Sequence, residues 1–253
     1  MYPDLFGVDN LSYTLCMIMG IVIALVIASL YIWKKGFKKE GIIDLLICAL
    51  SGVALGIVFA ILFENLYEVI ELGSNYRWVW KMTFLGGLFG GVIGFLAPYF
   101  IMRKNIRFDI RPILVIAPIC ITAAHCIGRV GCFLAGCCYG KPTDSWIGID
   151  FPNDGFGKLV PTQLIEAVFL FLLTGVMVVL ILILNFKYTF LVYLGSYSIF
   201  RFIIEFYRGD ERGVALALSP SQIWCIIIFL GLFPLFLLLR KIFMVNDEKE
   251  QAD

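Results

Sequence analysis

Seven apolar runs separated by short polar connections dominate the chain, at 12–33, 42–63, 78–102, 112–135, 162–185, 188–206 and 221–240. Each is about 20 residues long, and at 1.5 Å per residue such a helix crosses roughly 30 Å of hydrocarbon. The run from Thr162 to Asn185 is nearly unbroken Leu, Val, Ile and Phe and is the clearest of the set. The third and fourth runs are rich in glycine, which membrane helices tolerate and use for close packing. Gly86, Gly87, Gly90 and Gly91 read as packing notches of this kind. The first run follows a tail with Asp4 and Asp9 but no Lys or Arg, and it is too long for a signal-peptide core, so it reads as a span. The pattern predicts an all-α integral membrane fold of about seven transmembrane helices, a single polytopic domain over residues 1–253. No internal repeat is evident, which argues against an inverted-repeat transporter.

Composition sharpens this reading. Of 253 residues 61% are hydrophobic and 15% charged, with 23 Phe, and the mean hydropathy is +0.94. Soluble domains carry roughly a quarter charged residues, so the main solvent here is lipid. A net charge of +1 leaves no basic field for nucleic acid. The placement of charge sets orientation. Lys34, Lys35, Lys38 and Lys39 lie in the first connection, Arg103, Lys104, Arg107 and Arg111 in the third, and Lys187 in the fifth; Arg240, Lys241 and Lys249 follow the last run. The intervening connections are acidic or mixed, with Glu64, Glu68 and Glu71 in the second and Asp144, Asp150 and Asp154 in the fourth. The positive-inside rule then puts the N-terminus outside and the C-terminus in the cytoplasm, a parity that seven spans satisfy. Residues 136–161 become an outer-face loop segment and 241–253 a cytoplasmic tail, with Trp78, Trp80, Trp146 and Tyr139 at or beyond the outer boundary.

The side chains that break the apolar pattern gather near that boundary. His125, the only histidine, precedes Arg129 by one helical turn in the fourth run. Tyr197, Arg201, Glu205 and Arg208 recur on one face of the sixth, and Gln163 and Glu166 share a face just after Pro161. An ionised group at membrane depth costs roughly 2.5–3.5 kcal/mol on insertion scales unless paired or wet, so this set predicts a shared polar cavity open to the outside. Between the fourth and fifth runs, residues 128–140 read Gly-Arg-Val-Gly-Cys-Phe-Leu-Ala-Gly-Cys-Cys-Tyr-Gly. Its glycines allow tight turns and close backbone approach, and Arg129 can hold a phosphate through its guanidinium fork. The segment reads as an anionic-headgroup site.

Of the eight cysteines, Cys16, Cys48, Cys120, Cys126 and Cys225 fall within apolar runs and read as small core residues. Cys132, Cys137 and Cys138 lie near the outer face, where a disulfide, a metal site with His125 and a reactive acyl-carrying thiol are all open to them. Because the spacing lacks the usual Cys-x-x-Cys form, the reading taken is small residues shaping the headgroup pocket, with no metal and no cofactor.

Four separated blocks resemble the bacterial prolipoprotein diacylglyceryl transferase family: Tyr13 to Gly20, Met82 to Gly90, Arg129 to Gly140 continued by Pro161 to Glu166, and Arg201 to Arg208. The resemblance implies a multi-pass enzyme of the bacterial inner membrane whose active site faces the outer leaflet. Such an enzyme moves the diacylglyceryl group of phosphatidylglycerol, or a related anionic phospholipid, onto the lipobox cysteine of a prolipoprotein. It implies catalytic roles for Arg129, Arg201, Glu205 and Tyr13: the arginines on the lipid phosphate, Glu205 orienting Arg201, and Tyr13 positioning substrate. Cys132, Cys137, Gly140, Gln163, Glu166 and Arg208 would complete the substrate site with Arg129. This chain departs from the family pattern at three positions. Leu85 stands where a histidine precedes Gly-Gly-Leu, Cys132 where an asparagine is usual, and Cys137 where an acidic residue is usual. The acceptor thiol still has to become a thiolate, and His125 is the candidate replacement base. A divergent paralogue acting on another acceptor, and a non-enzymatic lipid- or peptide-binding protein of the same fold, are the alternatives.

Overall fold

The computed structural model describes residues 11–73, 76–80, 83–102, 104–151, 157–209 and 218–250. Asp4, Asp9 and Asp154, and the side chains of Glu71 and Leu85, lie outside the described set. The chain folds as an all-α membrane protein: α1 (Leu11–Lys34), α2 (Lys39–Leu72), α3 (Phe84–Ile101), α4 (Ile110–Ala135), α5 (Thr162–Leu184), α6 (Thr189–Ile204), α7 (Pro220–Leu230) and α8 (Leu232–Glu250). Among the described residues the only sheet is an antiparallel pair of β1 (Ile149–Asp150) and β2 (Lys158–Leu159) before α5. Among the described residues five helices are long and apolar enough to cross a membrane: α1, α2 to Leu66, α4, α5, and α6 with the short 3₁₀ turn that follows it. A sixth crossing is available if α7 and α8, bent by 45°, act as one span, and α3 is shorter.

Three boundaries differ from the sequence reading, each for a local reason. The last run is broken at Gly231 rather than continuous, because Pro234 has no N–H to give the Leu230 carbonyl and its ring crowds that group. Helix α2 continues through Glu64 and Glu68, which the sequence reading places in a connection. No helix breaker occurs before Gly73, whose positive φ of 53° ends it. Helix α3 begins only at Phe84, because the preceding residues follow a different hydrogen-bond scheme. The Asn65 side chain on α2, buried at 4% exposure, accepts from Val79 N–H (2.9 Å) and Tyr76 Oη (2.8 Å) and donates to the Val79 carbonyl (2.9 Å). One amide thus replaces a helical turn for residues 76–80.

The chain divides into two compact units, residues 35–109 and residues 1–34 with 110–253. In the first, α2 and α3 pack backbone to backbone. A Cβ at Gly86, Gly90 or Gly94 would strike the carbonyl of Phe59, Leu55 or Ser51 respectively, so one stripe of α3 has room only for glycine. Asp44, on α2 and buried, accepts from Arg107 Nε (3.0 Å), Nη2 (2.8 Å) and backbone N–H (2.9 Å), tying down the turn after α3.

In the other unit α4 is the common partner of α1, α5 and α6. Gly20 lets α1 approach the Ala124 carbonyl, and Gly131 lets α4 approach Cys16. Pro118 leaves α4 without one internal hydrogen bond, and Thr189 at the start of α6 donates to the Val115 carbonyl nearby at 2.7 Å. Thr174 of α5 donates to Thr122 of α4 at 2.9 Å, so α4 is held to both neighbours by hydroxyls as well as by apolar packing of Ile119, Leu173, Met177 and Tyr193. Phe169 and Phe200 stack with centroids 4.0 Å apart.

The glycine stripe gives a direct test. Gly90→Val should destabilise the protein by about 1–3 kcal/mol through overpacking. Gly91→Ala, where the nearest atom would be 3.8 Å away, should leave the thermal midpoint nearly unchanged. Thermal unfolding in detergent, followed by circular dichroism, compares the two.

Candidate functional site

Glu166, one turn into α5 and 1% exposed, is the centre of the polar cluster. Its Oε1 accepts from Arg129 Nη2 of α4 at 3.0 Å and from Tyr197 Oη of α6 at 2.8 Å, and His125 Nε2 of α4 lies 3.6 Å away. The His125 ring also packs edge-on against Tyr197, with centroids 5.4 Å apart. A buried carboxylate with one cation and a neutral donor is compensated, whereas either charge alone in this apolar surrounding would be costly. The arginine is not used up by this pairing: its Nε is buried with no hydrogen-bond partner among the described residues.

A second pair lies at the end of α6. Arg201 Nη2 meets Glu205 Oε2 at 2.7 Å, one turn apart on the same face, and both side chains are nearly buried. Glu205 Oε1 accepts from Ser219 Oγ at 2.9 Å. Ser219 in turn caps α7: its Oγ accepts from Gln222 N–H, and Gln222 Oε1 accepts from Ser219 N–H at 3.0 Å. Arg201 Nη1, like Arg129 Nε, is buried with no hydrogen-bond partner among the described residues. The sequence reading missed Ser219, although Ser-Pro-Ser-Gln at 219–222 carries the capping-box signature with proline at the first helical position. It placed Tyr197 in the polar cavity but gave it no role in the site.

The cysteine segment is a shaped turn. Helix α4 ends in a Schellman motif: Gly136 is left-handed at φ 71°, its N–H donates to Phe133 O (3.1 Å), and Cys137 N–H donates to Cys132 O (3.1 Å). Cys138 is also left-handed, at φ 64°. Helix α5 grips this turn, with Thr162 Oγ1 donating to the Cys138 carbonyl at 2.9 Å and Gln163 Nε2 to the Cys137 carbonyl at 3.0 Å. The thiol sulfurs of Cys132, Cys137 and Cys138 all fall within 4.8 Å of one another. Cys137 Sγ donates to the Cys132 carbonyl at 3.6 Å, and the Cys138 thiol is held below the ordinary thiol range chiefly by the adjacent Cys132 and Cys137 side chains, with Arg208 and Arg129 nearby. The three cysteines therefore form a cluster of their own, more than the separate packing residues expected from sequence.

Other expected site residues fall as follows. Tyr13, on α1, sits against Gly131 of α4 and faces the same turn. Arg208 is buried, and its backbone pairs with Gly140 as an antiparallel bridge. A Cβ at Gly140 would collide with the Tyr207 carbonyl, Thr162 and Val160. Chain packing thus requires glycine there. Gln163 Oε1 is buried with no hydrogen-bond partner among the described residues, while its Nε2 holds the cysteine turn. Residues 210–217, near the end of α6, lie outside the described set.

Comparison with known proteins agrees with these blocks. A family model described as prolipoprotein diacylglyceryl transferase matches residues 4–238. A phosphatidylglycerol–prolipoprotein diacylglyceryl transferase of Clostridium tetani is 30% identical, the match covering 97% of this chain and 96% of that one. A protein of Clostridium perfringens named as the second such transferase is 29% identical over 99% and 97%, and one of Geobacter sulfurreducens 31% identical over 93% and 92%.

The cluster's energetics are testable through its carboxylate. Glu166→Ala strands the Arg129 charge and should cost about 3–5 kcal/mol. Glu166→Gln keeps an acceptor for Tyr197 and should cost clearly less. Thermal midpoints of the two variants in the same detergent check the order; equal midpoints would contradict it.

Proposed function

We propose that this chain, which belongs to the prolipoprotein diacylglyceryl transferase family, moves the diacylglyceryl group of phosphatidylglycerol onto the cysteine thiol of a prolipoprotein. One observation carries the reading. Two buried arginines, Arg129 and Arg201, are each tethered to their own carboxylate, and each keeps one buried guanidinium nitrogen with no hydrogen-bond partner among the described residues. Cations held in place with spare donors suit a phosphate that gains charge as its ester bond breaks. Both lie within electrostatic reach of Tyr197 and His125, which fits a single headgroup site.

In this reading the acceptor thiolate attacks the glyceryl carbon that bears the phosphate ester. The carbon–sulfur bond forms, the carbon–oxygen bond breaks with its electron pair passing to oxygen, and glycerol phosphate leaves with one added negative charge. Arg129 and Arg201 stabilise that charge, Glu166 and Glu205 fix the two guanidinium planes, and Tyr13 positions substrate beside the cysteine turn. Gln163 and Arg208 shape the turn and its support. His125 has its Nε2 toward Glu166, seven residues and so about 10 Å of helix before Cys132. We therefore assign it to positioning the Glu166–Arg129 pair rather than to the thiol proton. The positive-inside pattern supports an orientation with the N-terminus outside and the site toward the outer leaflet of the bacterial inner membrane.

Purified protein incubated with phosphatidylglycerol and a lipobox peptide should yield peptide heavier by one diacylglyceryl group, and a Cys→Ser peptide should not react. Arg129→Lys and Arg201→Lys should each lower kcat by about 10²–10³, the usual loss on removing one charge-stabilising donor, while His125→Gln should retain measurable turnover. Bound lipid without modified peptide would favour a binding protein of the same fold.

A further inference from the structure

Cys132, Cys137 and Cys138 offer three sulfur atoms, all within 4.8 Å of one another, and no described carboxylate or imidazole completes the group. The backbone holds them there without a ligand. Cys132 and Cys137 are joined through the helix-ending turn of α4, and Cys138 adopts φ 64°, a left-handed conformation unfavourable for an L-residue. Two fully buried side chains of α5, Thr162 and Gln163, hold the carbonyls of Cys138 and Cys137. Cys137 is exposed, so the cluster can be reached from outside the protein.

We infer that these three cysteines bind one zinc-type divalent cation and leave its fourth position for the acceptor thiol. An all-sulfur donor set selects a soft or borderline metal, and three protein ligands with one open position is the arrangement of catalytic rather than structural zinc. Thiolates bound tetrahedrally at about 2.3 Å stand about 3.8 Å apart, so the sulfurs need to close by no more than about 1 Å, within reach of side-chain rotation. Arg129, one turn before Cys132, and buried Arg208 offset the negative charge that three thiolates leave on the complex.

This inference rests on the transferase reading and supplies the step that reading lacks. The acceptor S–H bond breaks, its proton passes to water at the exposed side, and the sulfur binds the metal as thiolate. A metal-bound thiol is deprotonated near neutral pH without a general base. Its lone pair then forms the carbon–sulfur bond to the glyceryl carbon, and the phosphate leaves toward Arg129 and Arg201. The thioether product is a poor ligand and departs; no oxidation or reduction occurs. Two of the three ligands, Cys132 and Cys137, stand where the family pattern has an asparagine and an acidic residue, so the departures and the metal ligands are the same positions.

The test uses the full-length protein in detergent, freed of metal by a chelator under reducing conditions and titrated with Co²⁺, whose thiolate complexes give sulfur-to-metal charge-transfer bands. One equivalent should bind with those bands. Cys132→Ser, Cys137→Ser and Cys138→Ser should each weaken binding more than about 100-fold, beyond the loss expected from an outer-shell partner. Cys48→Ser, in the other unit, should not. Serine is close in size to cysteine, and a variant that fails to keep the wild-type elution profile is replaced by alanine. A lipobox peptide with cysteine should shift the bands and its serine version should not. Chelated protein should lose transfer and regain it with Zn²⁺. Absence of the bands, their persistence in the triple serine variant, or full transfer by metal-free protein would each overturn the inference, the last while leaving the transferase reading intact. Bands shifted by the cysteine peptide but no lipidated product with any metal would support the metal site and refute the transferase reading.

Discussion

A carboxylate buried among apolar helices is the constraint on which the rest of the site depends. Glu166 is 1% exposed, and an isolated charge there would be prohibitive. It is tolerated because α4 brings Arg129 and α6 brings Tyr197 to the same oxygen. That requirement fixes the rotation of three helices about their axes, since each must turn its one polar face to the same point. The glycines on α1 and α4 and the hydroxyls of Thr122, Thr174 and Thr189 then hold the helices close enough for the contacts to form. The same rotation places Gln163, three residues before Glu166, under the cysteine turn.

The arrangement separates two tasks that a phospholipid-cleaving alkyl transfer requires. Charge on the departing phosphate is met by arginines that are tethered in advance, so little reorganisation is needed when the ester bond breaks. In the proposed mechanism, activation of the thiol falls to a different place, the turn at the C-terminal end of α4, where the backbone adopts a left-handed residue and gathers three sulfurs. Arg129 connects the two, paired to Glu166 and one helical turn from Cys132.

Much of this was legible in the sequence. The apolar runs gave the helices, and the spacing of Tyr197, Arg201 and Glu205 put them on one face, because helical periodicity is a local property. Contacts across helices were less so. Nothing in the spacing of Arg129 and Tyr197 says that they share one Glu166 oxygen, and the late start of α3 depends on a single amide, Asn65, that acts across 14 residues. The break between α7 and α8 was written in Gly231 and Pro234 but was outweighed by the continuous apolar run. The three cysteines stood out in the sequence, but the meeting of their sulfurs did not, because a Schellman turn and a left-handed Cys138 gather them, and not the regular Cys-x-x-Cys spacing that marks a metal knuckle.

The central claim is that Arg129 and Arg201 are tethered cations reserved for a lipid phosphate. Native mass spectrometry of the protein exposed to equal amounts of phosphatidylglycerol and diacylglycerol, which lacks the phosphate, tests it most directly. The account predicts that phosphatidylglycerol is retained preferentially and that the preference disappears in Arg129→Gln and Arg201→Gln. Equal retention of both lipids by the unaltered protein, or a preference that survives both substitutions, would contradict it.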